Sequence, residues 1–141
     1  MNDEFIGMAK AAKPHQVIIR NLIINLYNSI DEDFIALPEP NVADGDEHSP
    51  QPDVVVYATE EAEPLVCFEI TDNLKFPKEL RKIKTLFNNY GVKEVFQILY
   101  KNKGNFEFEI IKIVKWTGPD TKFEETYSEI LDEDISFLTE L

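Results

Sequence analysis

Within HQVIIRNLIINLYNSI (15–30), apolar residues recur at 18, 19, 22, 23, 26, 27 and 30, a helical stripe that follows Pro14. This spacing predicts a first helix. After the acidic DED (31–33), FIAL predicts a short strand, and LPEPNVADGDEHSPQP, dense in Pro, Gly and Asp, predicts a surface loop. PDVVVYATEEAEPLVCFEIT then holds two β-branched runs around a polar connection, the pattern of adjacent antiparallel strands. From Phe76 the period turns helical again: Phe76, Leu80, Ile83, Phe87 and Tyr90 share one face, and Gly91 supplies a stop. KEVFQILY (93–100) and NFEFEIIKIVKW (105–116) flank KNKG, a Gly-containing hairpin signal, and predict two more strands. The tail TKFEETYSEILDEDISFLTEL carries scattered Phe, Tyr, Ile and Leu that dock a last short element on the core. The expected class is α/β, a central mixed β-sheet flanked by helices. It forms one domain over residues 1–141, with 1–12 as a loose N-terminal arm.

A chain of 141 residues can bury roughly two thirds of its unfolded surface in one core. The single cysteine, Cys67, has no disulfide partner and lies in an apolar strand, which fits a reducing compartment; the cytoplasm is the expected location. The amino terminus lacks a cleavage-like segment, and no window approaches the roughly 18 apolar residues that cross a bilayer. A soluble protein with no membrane partner is expected.

The net charge of −13 argues on its face against a nucleic-acid partner, but the charge is unevenly distributed. Residues 31–74 carry thirteen acids and no Lys or Arg, whereas residues 75–115 carry ten basic groups against four acids. A polyanion therefore meets the middle segment. Lys75, Lys78, Arg81 and Lys82 are the candidate phosphate contacts, and an ordinary solvated helix face is the plainer reading of the same cluster.

Two acids stand out because apolar strands hold them. Asp53 opens PDVVVY and Glu69 interrupts LVCFEIT. A carboxylate in an apolar run is costly to desolvate and calls for a cation, a set of donors or a metal. Each has a structural alternative: Asp53 as a turn cap after Pro52, and Glu69 as the partner of a lysine on the second helix. His15 and His48 lack metal spacing and read as a helix-start and a loop histidine, and Cys67 reads as packing.

The order helix, strands, helix, strands, with PD and E in the first strand block, resembles the PD-(D/E)XK restriction-endonuclease-like superfamily. Within it the chain resembles the Uma-type family, common in bacteria and especially cyanobacteria. The likeness rests on His15 opening an apolar helix, on PDVVVY, on LVCFEITDN, on YGVKEVFQI and on the closing WTGPDTKFEETYSEILDEDISFLTEL, and covers roughly residues 13–141. It implies a restriction-endonuclease-like fold and a site in which Asp53, Glu69 and the backbone carbonyl of Ile70 carry Mg²⁺ or Mn²⁺. It also implies a lysine. The superfamily's position for it, two residues after the Glu, is Thr71 here, and the Uma-type position on the following helix falls on Ile83. Lys82 and Lys84 flank that register. With the apolar stripe centred on Ile83 and Phe87, Lys84 lies about 70° off it and Lys82 about 130° off, so Lys84 is expected to reach the carboxylates, with Lys82 as the alternative.

The reading so reached is a Mg²⁺-dependent endonuclease acting on DNA phosphodiesters, with Asp53, Glu69 and Lys84 as catalytic residues; the family likeness makes a homodimer plausible. A member of the same fold that has lost turnover and binds nucleic acid or protein is the first alternative. An acidic regulatory partner of a basic protein is the second.

Overall fold

The computed structural model describes residues 3–43, 45–72 and 79–140, with side chains from residue 13 onward. Helix α1 (Asp3–Ser29) is followed by strands β1 (Phe34–Pro38), β2 (Val54–Ala58) and β3 (Pro64–Asp72), then helix α2 (Leu80–Tyr90). Strands β4 (Glu94–Gly104), β5 (Glu107–Gly118) and β6 (Thr121–Glu124) complete the main sheet. A two-residue pair, β7 (Tyr127–Ser128) and β8 (Glu133–Asp134), leads into the one-turn helix α3 (Ile135–Leu138). The first helix starts well before the expected boundary. The segment expected to be a loose arm is helical from Asp3, and Pro14 lies inside α1, where its ring removes one backbone donor. The expected start of the second helix at Phe76 lies outside the described residues.

The sheet is mixed and runs β1-β2-β3-β4-β5-β6, with β3 and β4 parallel and every other neighbouring pair antiparallel. Helix α2 makes the crossover between the two parallel strands, as such a connection requires. Both faces of the sheet are covered, which is why the central strands read as near-continuous apolar runs. On one face, Ile18, Leu22 and Leu26 of α1 pack on Val54, Phe68 and Phe96. On the other, Ile83 and Leu86 of α2 pack on Val55, Cys67 and Trp116. Successive residues of β3 serve opposite sides: Val66, Phe68 and Ile70 face α1, while Cys67 faces α2. Gly91 ends α2 in the left-handed region at φ 70°, where a Cβ is disfavoured.

The acidic tail docks as expected, and it does so through polar groups as well as apolar ones. Leu131, Ile135 and Leu138 are buried against the α1 side of the core. The Asn21 amide donates to the Thr139 carbonyl at 2.8 Å, and that of Asn25 to Leu138 at 2.9 Å. Beneath the tail Lys115, 2% exposed, lies 3.2 Å from Glu94 and donates to the Tyr127 carbonyl at 2.9 Å. Glu94 in turn accepts from the Ser128 hydroxyl at 2.6 Å and from the Glu129 backbone at 3.0 Å. A buried ion pair of this kind is satisfied on every side, which makes its burial tolerable. Among the described residues no helix is long and apolar enough to cross a membrane.

Candidate active site

The two acids lie at the same level, at the end of the β2–β3 ladder. Val54 pairs with Phe68 and Val55 with Cys67, and continuing that register by one residue sets Asp53 opposite Glu69. Strand alternation puts Glu69 and Thr71 on the Cys67 side, beneath α2. Asp53 is fixed by three contacts. Its Oδ2 accepts from the Ile70 backbone N–H at 2.7 Å, its Oδ1 lies 3.1 Å from His15 Nε2, and its carbonyl accepts from the Glu39 N–H at 2.8 Å. In a strand, the N–H and C=O of one residue point toward the same neighbour. The Ile70 carbonyl is thus turned to the Asp53 side, where the register supplies Pro52, which has no N–H to offer it.

Glu69 is 2% exposed and meets Lys82, whose Nζ sits 3.0 Å from Oε1 and 3.1 Å from Oε2. The geometry is that of a hydrogen bond to Oε2 and of a charge contact to Oε1. The same ammonium donates to the Gln51 carbonyl at 3.0 Å. Burial pushes the Glu69 carboxyl well above its ordinary range; Lys82 opposes that push, and Asp53 and Glu79 add to it. Lys82 pays for its own burial, yet Glu69, Asp53 and Glu79 outweigh that cost and raise its pKa. The pair thus holds a firmly charged ammonium against a carboxyl that ionises reluctantly. Burial, with Glu69 alongside, also pushes the Cys67 thiol far up, which leaves it an inert packing group.

The expected positions of the two helix-two lysines are reversed. Lys84 is 52% exposed and forms a surface pair with Asp120 at 3.6 Å, whereas Lys82, 28% exposed, folds its stem under α2 to Glu69. The cause is the position of the apolar stripe. The buried residues of α2 are Ile83 and Leu86, not Ile83 and Phe87. Centring the stripe between Ile83 and Leu86 rotates the helix so that Lys82 lies about 70° from it and Lys84 about 130°. Arg81 is exposed on the outer side of α2, where it lines a groove of about 380 Å³ with Lys84, Thr85 and Asn88. Lys75 and Lys78 lie outside the described residues. His15 is the residue that sequence reasoning did not place in the site: only the fold carries the middle of α1 to a loop acid 38 positions away.

Among the described residues no group of three or more His, Cys, Asp or Glu side chains gathers as a ready-made metal cage. The arrangement instead suits a hard, well-hydrated cation: two carboxylates from opposite positions of one ladder and a backbone carbonyl turned toward the Asp53 side, all oxygen donors. Mg²⁺ is commonly held by one or two carboxylates with its own waters, so these donors fit it.

No protein-family model matches the chain, and no curated protein does. A solved structure from Anabaena variabilis ATCC 29413, described as "a putative nuclease belonging to DUF820", is similar at a TM-score of 0.54 and 16% identity, over 89% of this chain and 80% of that one. At this identity the likeness speaks to the fold: the chain has a restriction-endonuclease-like α/β architecture, six strands in one sheet flanked by helices.

Proposed function

We propose that this protein is a divalent-metal-dependent nuclease of the Uma type, hydrolysing DNA phosphodiesters at the Asp53–Glu69 site. The observation that carries the reading is the register that sets Asp53, just before β2, opposite Glu69 of β3, with the Lys82 ammonium on Glu69. Asp53, Glu69 and the Ile70 carbonyl would hold Mg²⁺ or Mn²⁺. When bound, such an ion supplies a Lewis acid for the phosphoryl oxygens and a water of lowered pKa. Asp53 enters this site already oriented by His15 and Ile70, so little ordering is left for the moment of binding. Lys82 takes the catalytic role first expected of Lys84: its ammonium orients the attacking water and stabilises negative charge developing on the phosphoryl group. The groove along Arg81 and Lys84, on the outer side of α2, offers the backbone of DNA a run of cationic and amide donors.

The test is cleavage of plasmid and linear DNA with Mg²⁺ or Mn²⁺. Asp53→Ala and Glu69→Ala abolish it, and Lys82→Ala lowers the rate by about 10²–10³-fold, the usual effect of removing one charge-stabilising donor. Lys84→Ala keeps the chemistry. Cleavage that persists in both acid variants overturns the assignment.

A second reading is favoured by the way each acid is already paired, Asp53 with His15 and Glu69 with Lys82. In it the domain binds nucleic acid or protein without turnover. Calorimetry separates the two readings: the nuclease binds Mn²⁺ in a way that Asp53→Ala removes, whereas the degenerate site binds none.

A further inference from the structure

Among the described residues, three buried side-chain polar atoms have no hydrogen-bond partner: Glu69 Oε1, Thr71 Oγ1 and Gln97 Nε2. They are not scattered. Glu69 and Gln97 are direct neighbours across the parallel β3–β4 pair, and Thr71 is the next residue of β3 on the same face. An unpaired buried polar atom is unfavourable wherever it occurs, so three of them side by side call for one explanation. Their chemistry is complementary: a carboxylate oxygen that accepts, an amide that donates and a hydroxyl that does either. The orientation of Gln97 is also fixed. The Trp116 indole on β5 donates to Gln97 Oε1 at 2.7 Å, which turns the amide nitrogen away from β5 and toward β3. On the other side, Lys82 hydrogen-bonds Oε2 of Glu69 and touches Oε1 only as a charge contact at 3.0 Å, so Oε1 can still accept a hydrogen bond from another donor.

We propose that Glu69, Thr71 and Gln97 hold one internal water between them, and that through it Gln97 is a positioning residue for the Glu69 carboxylate. Internal waters make about three hydrogen bonds to buried polar groups, which is the number on offer here. The water donates to Glu69 Oε1, accepts from the Gln97 amide and shares a hydrogen bond with Thr71. Glu69 is then gripped on both oxygens, by Lys82 from α2 and by a relay from Trp116 through Gln97. The functional half of this inference rests on the metal-holding role given to Glu69 above, where the groups behind a ligand set its direction and basicity.

Two measurements on the full chain test it. A high-resolution crystal structure is expected to show a density peak within hydrogen-bond distance of all three atoms. The Gln97 amide resting directly on Glu69, with no peak, overturns the water. Mn²⁺ titration, followed by electron paramagnetic resonance and by the emission of Trp116, the chain's single tryptophan, reads the positioning role. Thr71→Val, close in shape and lacking only the hydroxyl, is expected to weaken Mn²⁺ binding by about 10–100-fold. Thr71→Ser restores it. Gln97→Met weakens binding similarly and uncouples Trp116 emission from the titration. Unchanged affinity in Thr71→Val, with wild-type binding intact, overturns the positioning role alone. A wild-type chain that binds no Mn²⁺ overturns the metal reading of the site, and the density then judges the water by itself.

Discussion

Replacing Lys82 with Met tests the electrostatics of the site without any substrate. The substitution keeps the apolar stem under α2 and removes the one cation that, among the described residues, contacts Glu69, a carboxyl only 2% exposed. Stripping a buried pair of one partner costs about 3–5 kcal/mol in the fully buried case, and the 28% exposure of Lys82 screens part of that, leaving roughly 2–3 kcal/mol. At roughly 3 °C per kcal/mol for a domain of this size, the melting temperature falls by about 6–9 °C near neutral pH. The loss depends on pH, and the sign follows from Glu69. Its folded-state pKa is raised above the ordinary 4.5 by burial, and losing Lys82 raises it further. A carboxyl raised in this way contributes stability that is fully present below its unfolded value and is lost as pH rises through the folded one. Wild type and Lys82→Met therefore converge near pH 4.5 and separate as the pH rises toward 8. Thermal melts by circular dichroism across that window measure the gap. A gap of constant size, or a variant more stable than wild type near pH 8, refutes the reasoning. The double variant Glu69→Gln with Lys82→Met removes both charges and recovers most of the loss.

Two further outcomes follow from the same geometry. Lys115→Met leaves Glu94 buried without its cation, so urea unfolding should show a loss of about 3–5 kcal/mol, while adding Glu94→Gln restores much of it; a single variant as stable as wild type would show that Ser128 and the Glu129 backbone suffice. His15→Ala frees one oxygen of Asp53, and Mn²⁺ affinity by calorimetry should fall by about tenfold with the fold intact; unchanged affinity would mean that the Ile70 N–H alone orients the acid.

Local patterns carried most of the architecture. The 3.6-residue stripe of α1 and the paired β-branched runs of β2 and β3 are each encoded over a few consecutive residues, and each forms where its pattern lies; the turn expected at KNKG instead falls at Asn105 and Phe106, because Gly104 still pairs with Glu107 and KNKG closes β4. The strands on either side of α2 emerge parallel because a helix-length connection is what a parallel pair requires. Asp53 and Glu69 were legible for a similar reason: a charge inside an apolar strand is conspicuous wherever that strand ends up.

What sequence periodicity left undecided was rotation and reach. The apolar stripe of α2 can be centred on Phe87 or on Leu86, and a shift of that size exchanges Lys84 for Lys82 at the site; the sheet's own side chains, Cys67 and Trp116 among them, settle which face is buried. The partnership of His15 with Asp53 and the relay from Trp116 through Gln97 join residues on separate elements, with no spacing rule to announce them. Short-range forces write helices and strands into the amino-acid order, whereas the direction in which a long side chain bends is chosen by the walls around it, and those walls exist only once the chain has folded.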